Sequence, residues 1–201
     1  MQEGMLLIIS GPSGSGKGTV TKKLSPDRSY ALSVSMTTRN KRPGEIDGVD
    51  YIFCSKQEFR DVRDCGGFLE HAAFSNNYYG TPISYVNKMI AKGLIVVMEI
   101  DVVGALQVKS KYPEAILVFL MPPTFTELSC RLANRGTEDA QEINSRLRRA
   151  WDELRELEKY DYLVINNDID NAVKEIDLIV DAERLRPKRS SEKIDHFMNN
   201  A

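Results

Sequence analysis

The chain has 201 residues, 42% of them hydrophobic and 28% charged, which suits one globular domain with small insertions. Its formal net charge is −2, so it lacks the basic surplus that is usual in proteins that bind nucleic acid or anionic membranes. Three scattered cysteines and two histidines offer no pattern for a disulfide framework or a zinc site. These features predict no nucleic-acid partner and no membrane, with the cytoplasm as the default location.

Short apolar runs alternate with helical patterns along the chain. Five runs predict β-strands, at residues 6–10, 30–34, 95–100, 115–120 and 162–165. Continuous apolar runs, unlike alternating ones, are typical of parallel strands buried on both faces. The first run is therefore interpreted as a buried strand and not as a signal peptide. With helices between the strands, the pattern predicts an α/β fold in which helices flank a parallel sheet.

A glycine-rich segment follows the first predicted strand directly. It reads Gly11-Pro12-Ser13-Gly14-Ser15-Gly16-Lys17-Gly18-Thr19 and leads into a helical pattern. Glycines let successive backbone N–H groups curl around an anion at a helix N-terminus, and the lysine reaches the β- and γ-phosphates. The order of strand, loop and helix predicts a P-loop NTPase-type core with ATP bound on these nine residues.

One position departs from the strict P-loop pattern. Gly18 stands where a serine or threonine usually offers its hydroxyl to magnesium, and Thr19 comes next. Mg²⁺ is therefore expected as a cofactor held by ATP phosphates and water, with no direct protein ligand. Thr19 or Glu99 would act only through that water.

Two polar segments follow the second predicted strand. Residues 37–51 read TTRNKRPGEIDGVDY and residues 68–81 read FLEHAAFSNNYYGT. Together with the P-loop, these segments resemble guanylate kinase closely, over residues from about 6 to 178. The resemblance implies ATP-dependent phosphorylation of GMP, and of dGMP, in purine nucleotide metabolism and GMP recycling.

The resemblance also implies an acceptor site. Its phosphate-binding residues would be Arg39, Arg42, Tyr51 and Tyr79, and its guanine-reading residues Ser35, Glu70, Thr81 and Asp101, with Gly80 and Glu99 alongside. The chemistry agrees, because a carboxylate can accept from guanine N1 and N2 together while hydroxyls donate to O6. Adenine would leave such buried polar groups unpaired.

Two acids end the third predicted strand, and their spacing puts Glu99 and Asp101 on the same side of it. Ligands of open parallel sheets bind at the carboxyl ends of strands, so both acids are expected beside the P-loop. Glu99 has two open roles: orienting a water of the Mg²⁺ shell, or neutralising nearby arginines. By the same resemblance, Asn166, after the last predicted strand, would lie near the ATP base.

Arginines at helical spacing mark a second irregular region. Arg131 and Arg135 lie four residues apart and share a helix face, and Arg146 follows on an amphipathic helix. This pattern resembles the lid of guanylate kinases. The predicted catalytic groups are the cations that offset phosphoryl charge, namely Lys17, Arg39, Arg131, Arg135 and Arg146. Arg148 and Arg149 are predicted to lie on the solvated helix face.

The predicted organisation is one guanylate kinase-like domain over residues 1–187. Its core comprises residues 1–34, 92–123 and 159–187, its inserted mixed α/β GMP-binding subdomain 35–91, and its small helical lid 124–158; residues 188–201 are predicted to form a loose tail. Two alternatives stay open. One is a non-catalytic guanylate kinase-like module that binds phosphorylated partners, and the other is a kinase for another monophosphate. The sequence does not predict the oligomeric state.

Overall fold

The structure is a computed structural model that describes residues 4–24, 29–133 and 140–199. Its central sheet has five parallel strands in the order β2-β7-β1-β8-β9. These strands are β1 (Met5–Ser10), β2 (Tyr30–Leu32), β7 (Ile95–Glu99), β8 (Ile116–Met121) and β9 (Tyr162–Ile165). All five predicted strands are confirmed, with ends that shift by at most two residues, and so is the parallel α/β core.

Helices cover both faces of this sheet. The helices that pack on it are α1 (Lys17–Lys23), α3 (Ile83–Ile90), α4 (Val102–Lys111) and α7 (Ile169–Arg184). Helices α5 (Phe125–Ala133) and α6 (Ala140–Leu154) pack on each other in a separate apolar cluster. Alternate residues of β1 enter two apolar clusters: Leu7 packs with Val20 and Ile176 on one face, and Ile8 with Val86 on the other. This two-sided burial explains why the strands are continuous apolar runs.

A second, four-stranded sheet is inserted between β2 and α3. Its order is β4-β3-β6-β5, from β3 (Met36–Thr37), β4 (Ile52–Phe53), β5 (Phe68–Phe74) and β6 (Asn77–Pro82). Helix α2 (Lys56–Asp64) begins with a capping box of Ser55 and Glu58. Phe59 of this helix stacks on Phe68 at 4.5 Å, which fixes the helix on the sheet.

The chain after Pro187 differs from its prediction. A 3-10 turn (Pro187–Arg189) and helix α8 (Ser191–Asn199) follow α7. Arg189 Nε lies 3.5 Å from Oε2 of Glu183, a carboxylate that is 1% exposed, and Arg189 Nη2 donates to the Glu114 carbonyl at 2.9 Å. A buried carboxylate requires a cationic partner. Arg189 therefore anchors the start of the segment that the sequence predicts as a loose tail.

The helices of the described residues are short or polar. None of them is long and apolar enough to cross a membrane.

Candidate active site

The P-loop lies close to the ends of β8 and β9, and two of its glycines make this approach possible. Gly11 has φ 139°, and a Cβ on it would lie 2.1 Å from the Leu120 carbonyl oxygen. Gly16 has φ 91°, and a Cβ there would lie 2.3 Å from Asn166 Nδ2. That amide donates to the Ser15 carbonyl at 2.8 Å. Side chains at either glycine would break the loop's contacts with the sheet.

Lys17 lies over the loop. Its ammonium donates to the carbonyl oxygens of Gly11 at 2.7 Å and Pro12 at 3.1 Å. A phosphate oxygen would compete with these neutral acceptors by forming a stronger, charge-assisted hydrogen bond. The lysine is thus within reach of an anion bound in the loop.

A cleft of about 790 Å³ opens beside the P-loop. Its lining includes most of the predicted ATP-binding loop, namely Gly11, Ser13, Gly14, Gly16, Lys17, Gly18 and Thr19. It also includes Glu99, Asp101 and Arg146, which come from the end of β7 and from α6. The structure therefore brings together the predicted P-loop, the two acids and one lid arginine around one cavity.

Glu99 lies directly beside the exceptional glycine of the P-loop. A Cβ on Gly18 would lie 3.4 Å from both carboxylate oxygens of Glu99, one of which accepts from Thr21 Oγ1 at 3.2 Å. Among the described residues, no three His, Cys, Asp or Glu side chains form a group that could hold a metal ion. A single carboxylate beside the phosphate loop fits a Mg²⁺ ion that keeps most of its waters.

Asp101 has two partners. Its Oδ1 accepts from the Gly104 N–H at 2.9 Å and so caps the N-terminus of α4, while its Oδ2 accepts from Arg149 Nη2 at 3.1 Å. Arg149 also donates from Nε to Glu153 Oε1 at 3.2 Å. Arg149 is exposed, as the sequence predicts, yet it and Glu153 line the cleft, which the sequence pattern does not indicate.

A second cleft, of about 340 Å³, lies on the other side of the P-loop. Its lining combines Gly14, Gly16 and Thr19 of the loop with Arg131, Asn166, Asn167, Asp168 and Ile169. Arg131 donates from Nε to Glu127 at 2.8 Å and from Nη2 to the Asn166 carbonyl at 3.0 Å. The predicted ATP residues Arg131 and Asn166 therefore meet here, while Arg135 lies outside the described residues.

Three predicted guanine-reading residues form one hydrogen-bonded chain on the second sheet. Thr81 Oγ1 donates to Glu70 Oε1 at 2.8 Å and lies 3.0 Å from Ser35 Oγ, so Ser35 is the donor in that contact. Burial raises the pKa of the Glu70 carboxyl, and the negative charge of Asp101 adds to the rise. Gly80 lies close against β5, since a Cβ there would lie 3.0 Å from the Glu70 carbonyl oxygen.

The predicted acceptor-phosphate residues form a neighbouring cluster. Arg39 makes a two-pronged ion pair with Glu45, with distances of 2.7 and 3.1 Å, and its guanidinium carbon lies 5.3 Å from the centre of the Tyr51 ring. Tyr51 meets Tyr79 edge-on at 6.1 Å. The hydrogen bond to Arg39 holds the pKa of the Glu45 carboxyl below its usual value. The Arg42 N–H donates to the same carboxylate at 2.8 Å.

The guanylate kinase family model matches residues 3–183. The chain belongs to the guanylate kinase family. It is 46% identical to the guanylate kinase of Lactiplantibacillus plantarum over 202 residues, which cover 100% of this chain and 98% of that protein. It is 50% identical to the guanylate kinase of Latilactobacillus sakei over 188 residues, 92% and 93% of the two chains. The crystal structure of guanylate kinase from Anaplasma phagocytophilum matches with a TM-score of 0.71 at 32% identity, covering 94% and 90%.

Family membership confirms the resemblance noted in the sequence. Three residues of the candidate site, Glu45, Arg149 and Glu153, were nevertheless not among the predicted site residues. Glu45 stands inside the Gly-Glu pair of the acceptor motif, yet only the structure indicates that it orients Arg39 and the Arg42 backbone. Arg149 and Glu153 belong to no motif quoted for the sequence. The signal that points to them is their spacing of four residues on a helix that also carries Arg146.

Proposed function

We propose that the protein is an ATP:GMP phosphotransferase. It would move the γ-phosphoryl group of Mg·ATP directly onto GMP, and onto dGMP, to give ADP and GDP or dGDP. The observation that supports this most directly is the partly buried, hydrogen-bonded chain of Ser35, Thr81 and Glu70. The proposed role of the protein is purine nucleotide metabolism and GMP recycling in the cytoplasm, where both substrates occur.

The chain of three side chains suits guanine. The Glu70 carboxylate can accept the N1 and N2 hydrogens of guanine together, whereas it would face the lone pair of adenine N1. Both hydroxyl hydrogens are used inside the chain, so Ser35 must rotate to donate to guanine O6. Buried groups left unpaired by the wrong base can produce a discrimination of ~10⁴ or more. Asp101 would accept the second N2 hydrogen.

The acceptor phosphate would bind at the neighbouring cluster of Arg39, Arg42, Tyr51 and Tyr79. Arg39 is held in advance by Glu45, so little side-chain entropy is lost when its fork meets a phosphate. This cluster and the guanine site both lie in the region 35–91, which we propose as the GMP-binding subdomain.

The donor side would be built from the P-loop and from cations of the region 124–158, proposed as the lid. Backbone N–H groups of residues 11–19 would bind the ATP phosphates, and Lys17 would exchange its loop carbonyls for phosphate oxygens. Arg131 and Arg146, with Arg135, would offset charge that spreads in the transition state. Bound Mg²⁺ would supply further charge neutralisation at the β- and γ-phosphates, near Glu99. The acceptor phosphate is already ionised, so the chain needs only to align two anions and exclude water.

The test is ADP production from Mg·ATP with GMP, dGMP, AMP, CMP or UMP offered separately. We expect turnover with GMP and dGMP alone, and none from the matched Lys17→Met variant, which controls for contaminating kinases. Turnover with another monophosphate would refute the guanine assignment. GMP binding by calorimetry without any turnover would refute the enzyme and favour the phosphate-binding module.

A further inference from the structure

Arg149 connects two parts of the chain that lie far apart in sequence. It stands on α6, yet its Nη2 donates to Oδ2 of Asp101, which ends the segment after β7 and caps α4. Its Nε donates to Glu153, one turn further along α6. The guanidinium therefore bridges two carboxylates at the rim of the nucleotide cleft, which both acids and Arg149 line.

The two carboxylates are not equivalent. The Glu153 side chain is only 12% exposed, whereas those of Asp101 and Arg149 are 51% and 64% exposed. Burial raises the pKa of Glu153, and the positive charges of Arg149 and Lys17 oppose that rise. The largely buried Glu153 carboxylate thus holds Arg149 in place: it accepts from Nε of Arg149 and leaves Nη2 of Arg149 to face Asp101.

The oxygens of Asp101 have different partners. The N-cap bond to Gly104 uses Oδ1 and fixes the position of that atom. Rotation about the end of the side chain is then limited mainly by what binds Oδ2, and in this structure that is Arg149. A carboxylate oxygen has two acceptor sites. Oδ2 can therefore accept a second hydrogen while it keeps the bond to Arg149.

We propose that Arg149 is a positioning residue for guanine recognition, which holds Asp101 Oδ2 where it accepts a hydrogen of the guanine 2-amino group. The inference rests on the proposed function, because it requires that Asp101 meets this amino group. Arg149 would act through Asp101 and would not contact the base. Through Arg149, helix α6 would contribute to base selection, in addition to the charge that Arg146 supplies.

Inosine monophosphate is the probe, because it is GMP without the 2-amino group. The ratio of kcat/KM for GMP to kcat/KM for IMP reports the contact to that group and cancels contributions from phosphate binding. Arg149→Ala should lower this ratio about three- to fivefold, the upper part of the range of an ion pair between exposed groups. Arg149→Lys should lower it less. The matched control, Arg148→Ala, removes the same charge from an exposed neighbour outside the cleft lining and should leave the ratio unchanged.

Asp101→Asn separates this inference from the proposed function. Asparagine can still cap α4, so the variant should fold, as checked by its melting temperature, while the GMP to IMP ratio falls. If Asp101→Asn lowers the ratio but Arg149→Ala does not, the role of Arg149 is refuted and the guanine site stands. If both variants leave the ratio unchanged, the assignment of Asp101 to guanine fails and takes the inference with it. An equal loss for GMP and IMP in Arg149→Ala would also overturn the inference, because it would indicate a contact to phosphate.

Discussion

Replacing Glu70 by glutamine tests the base-reading site most directly. The carboxylate already accepts from Thr81, and the proposed complex adds two bonds from guanine N1 and N2. Hydrogen bonds to a charged group contribute about 1.5–3 kcal/mol each. Loss of both would cost about 3–6 kcal/mol, so kcat/KM for GMP should fall ~10²- to ~10⁴-fold. KM for ATP should stay unchanged, since its proposed site lies on the P-loop.

The same substitution has a stability signature that depends on pH. Burial raises the pKa of Glu70 in the folded protein, so folding favours the protonated form. The wild-type protein therefore loses stability as pH rises from the unfolded value of ~4.3 through the raised folded pKa. Glutamine does not titrate. Glu70→Gln should consequently be more stable than wild type at neutral pH, with a gain that shrinks as the pH falls toward ~4.

The assays are coupled ADP production for GMP and AMP, and urea unfolding at several pH values. In the wild type, KM for GMP should also rise as the pH falls through the raised pKa of Glu70, because guanine needs the carboxylate. A variant that keeps kcat/KM for GMP within about threefold of wild type would refute the base assignment. A stability gain that does not change with pH would refute the burial argument.

Three further substitutions test other parts of the structure. Lys17→Met should lower kcat by ~10²-fold or more, because it removes a cation that stabilises the transition state. The urea midpoint should change little, because methionine keeps most of the side-chain packing. Gly16→Ala should weaken ATP binding in calorimetry and cost about 1–3 kcal/mol in urea unfolding, because its Cβ would meet Asn166 Nδ2 at 2.3 Å. Arg189→Ala should cost about 1–3 kcal/mol in urea unfolding by leaving Glu183 with fewer partners, and kcat/KM should not change.

The central sheet was predictable because its strands carry a strong local signal. β1 is buried along its whole length and flanked by helices on both faces, so nearly every residue from Leu6 to Ile9 must be apolar. The second sheet lacks such a signal. β3 and β4 have two residues each, which is too short for any periodic pattern to appear. The sequence therefore predicts an inserted mixed α/β subdomain at residues 35–91 but not the order of its strands.

The site residues could be predicted because each belongs to a motif with a fixed residue type and spacing. The residues that they contact could not, because those contacts depend on the fold. Glu45 lies six residues from Arg39 in an irregular segment, where spacing does not determine contact. The pairing of Arg149 with Asp101 spans 48 residues and requires α6 to lie across the end of β7. Glu183 is a charged residue on a helix, so the sequence predicts an exposed side chain. Its side chain is buried instead, where it pairs with Arg189 and accepts a hydrogen bond from Tyr162. Such ion pairs follow from tertiary packing and leave no local pattern.

The proposed guanine site and the proposed ATP site differ in how many parts of the chain contribute residues to them. The proposed guanine-reading chain joins Glu70 and Thr81 of the second sheet to Ser35 directly before β3, and its hydrogen bonds are formed. The donor side draws on the P-loop, the end of β7, α5 and α6, and Lys17 still bonds to its own loop. On the proposed function, base recognition would be largely organised in advance, while phosphoryl transfer would require several elements to rearrange. Substitutions on the second sheet should then act mainly on the choice of acceptor, and those of Arg131 on α5 and Arg146 on α6 mainly on the rate.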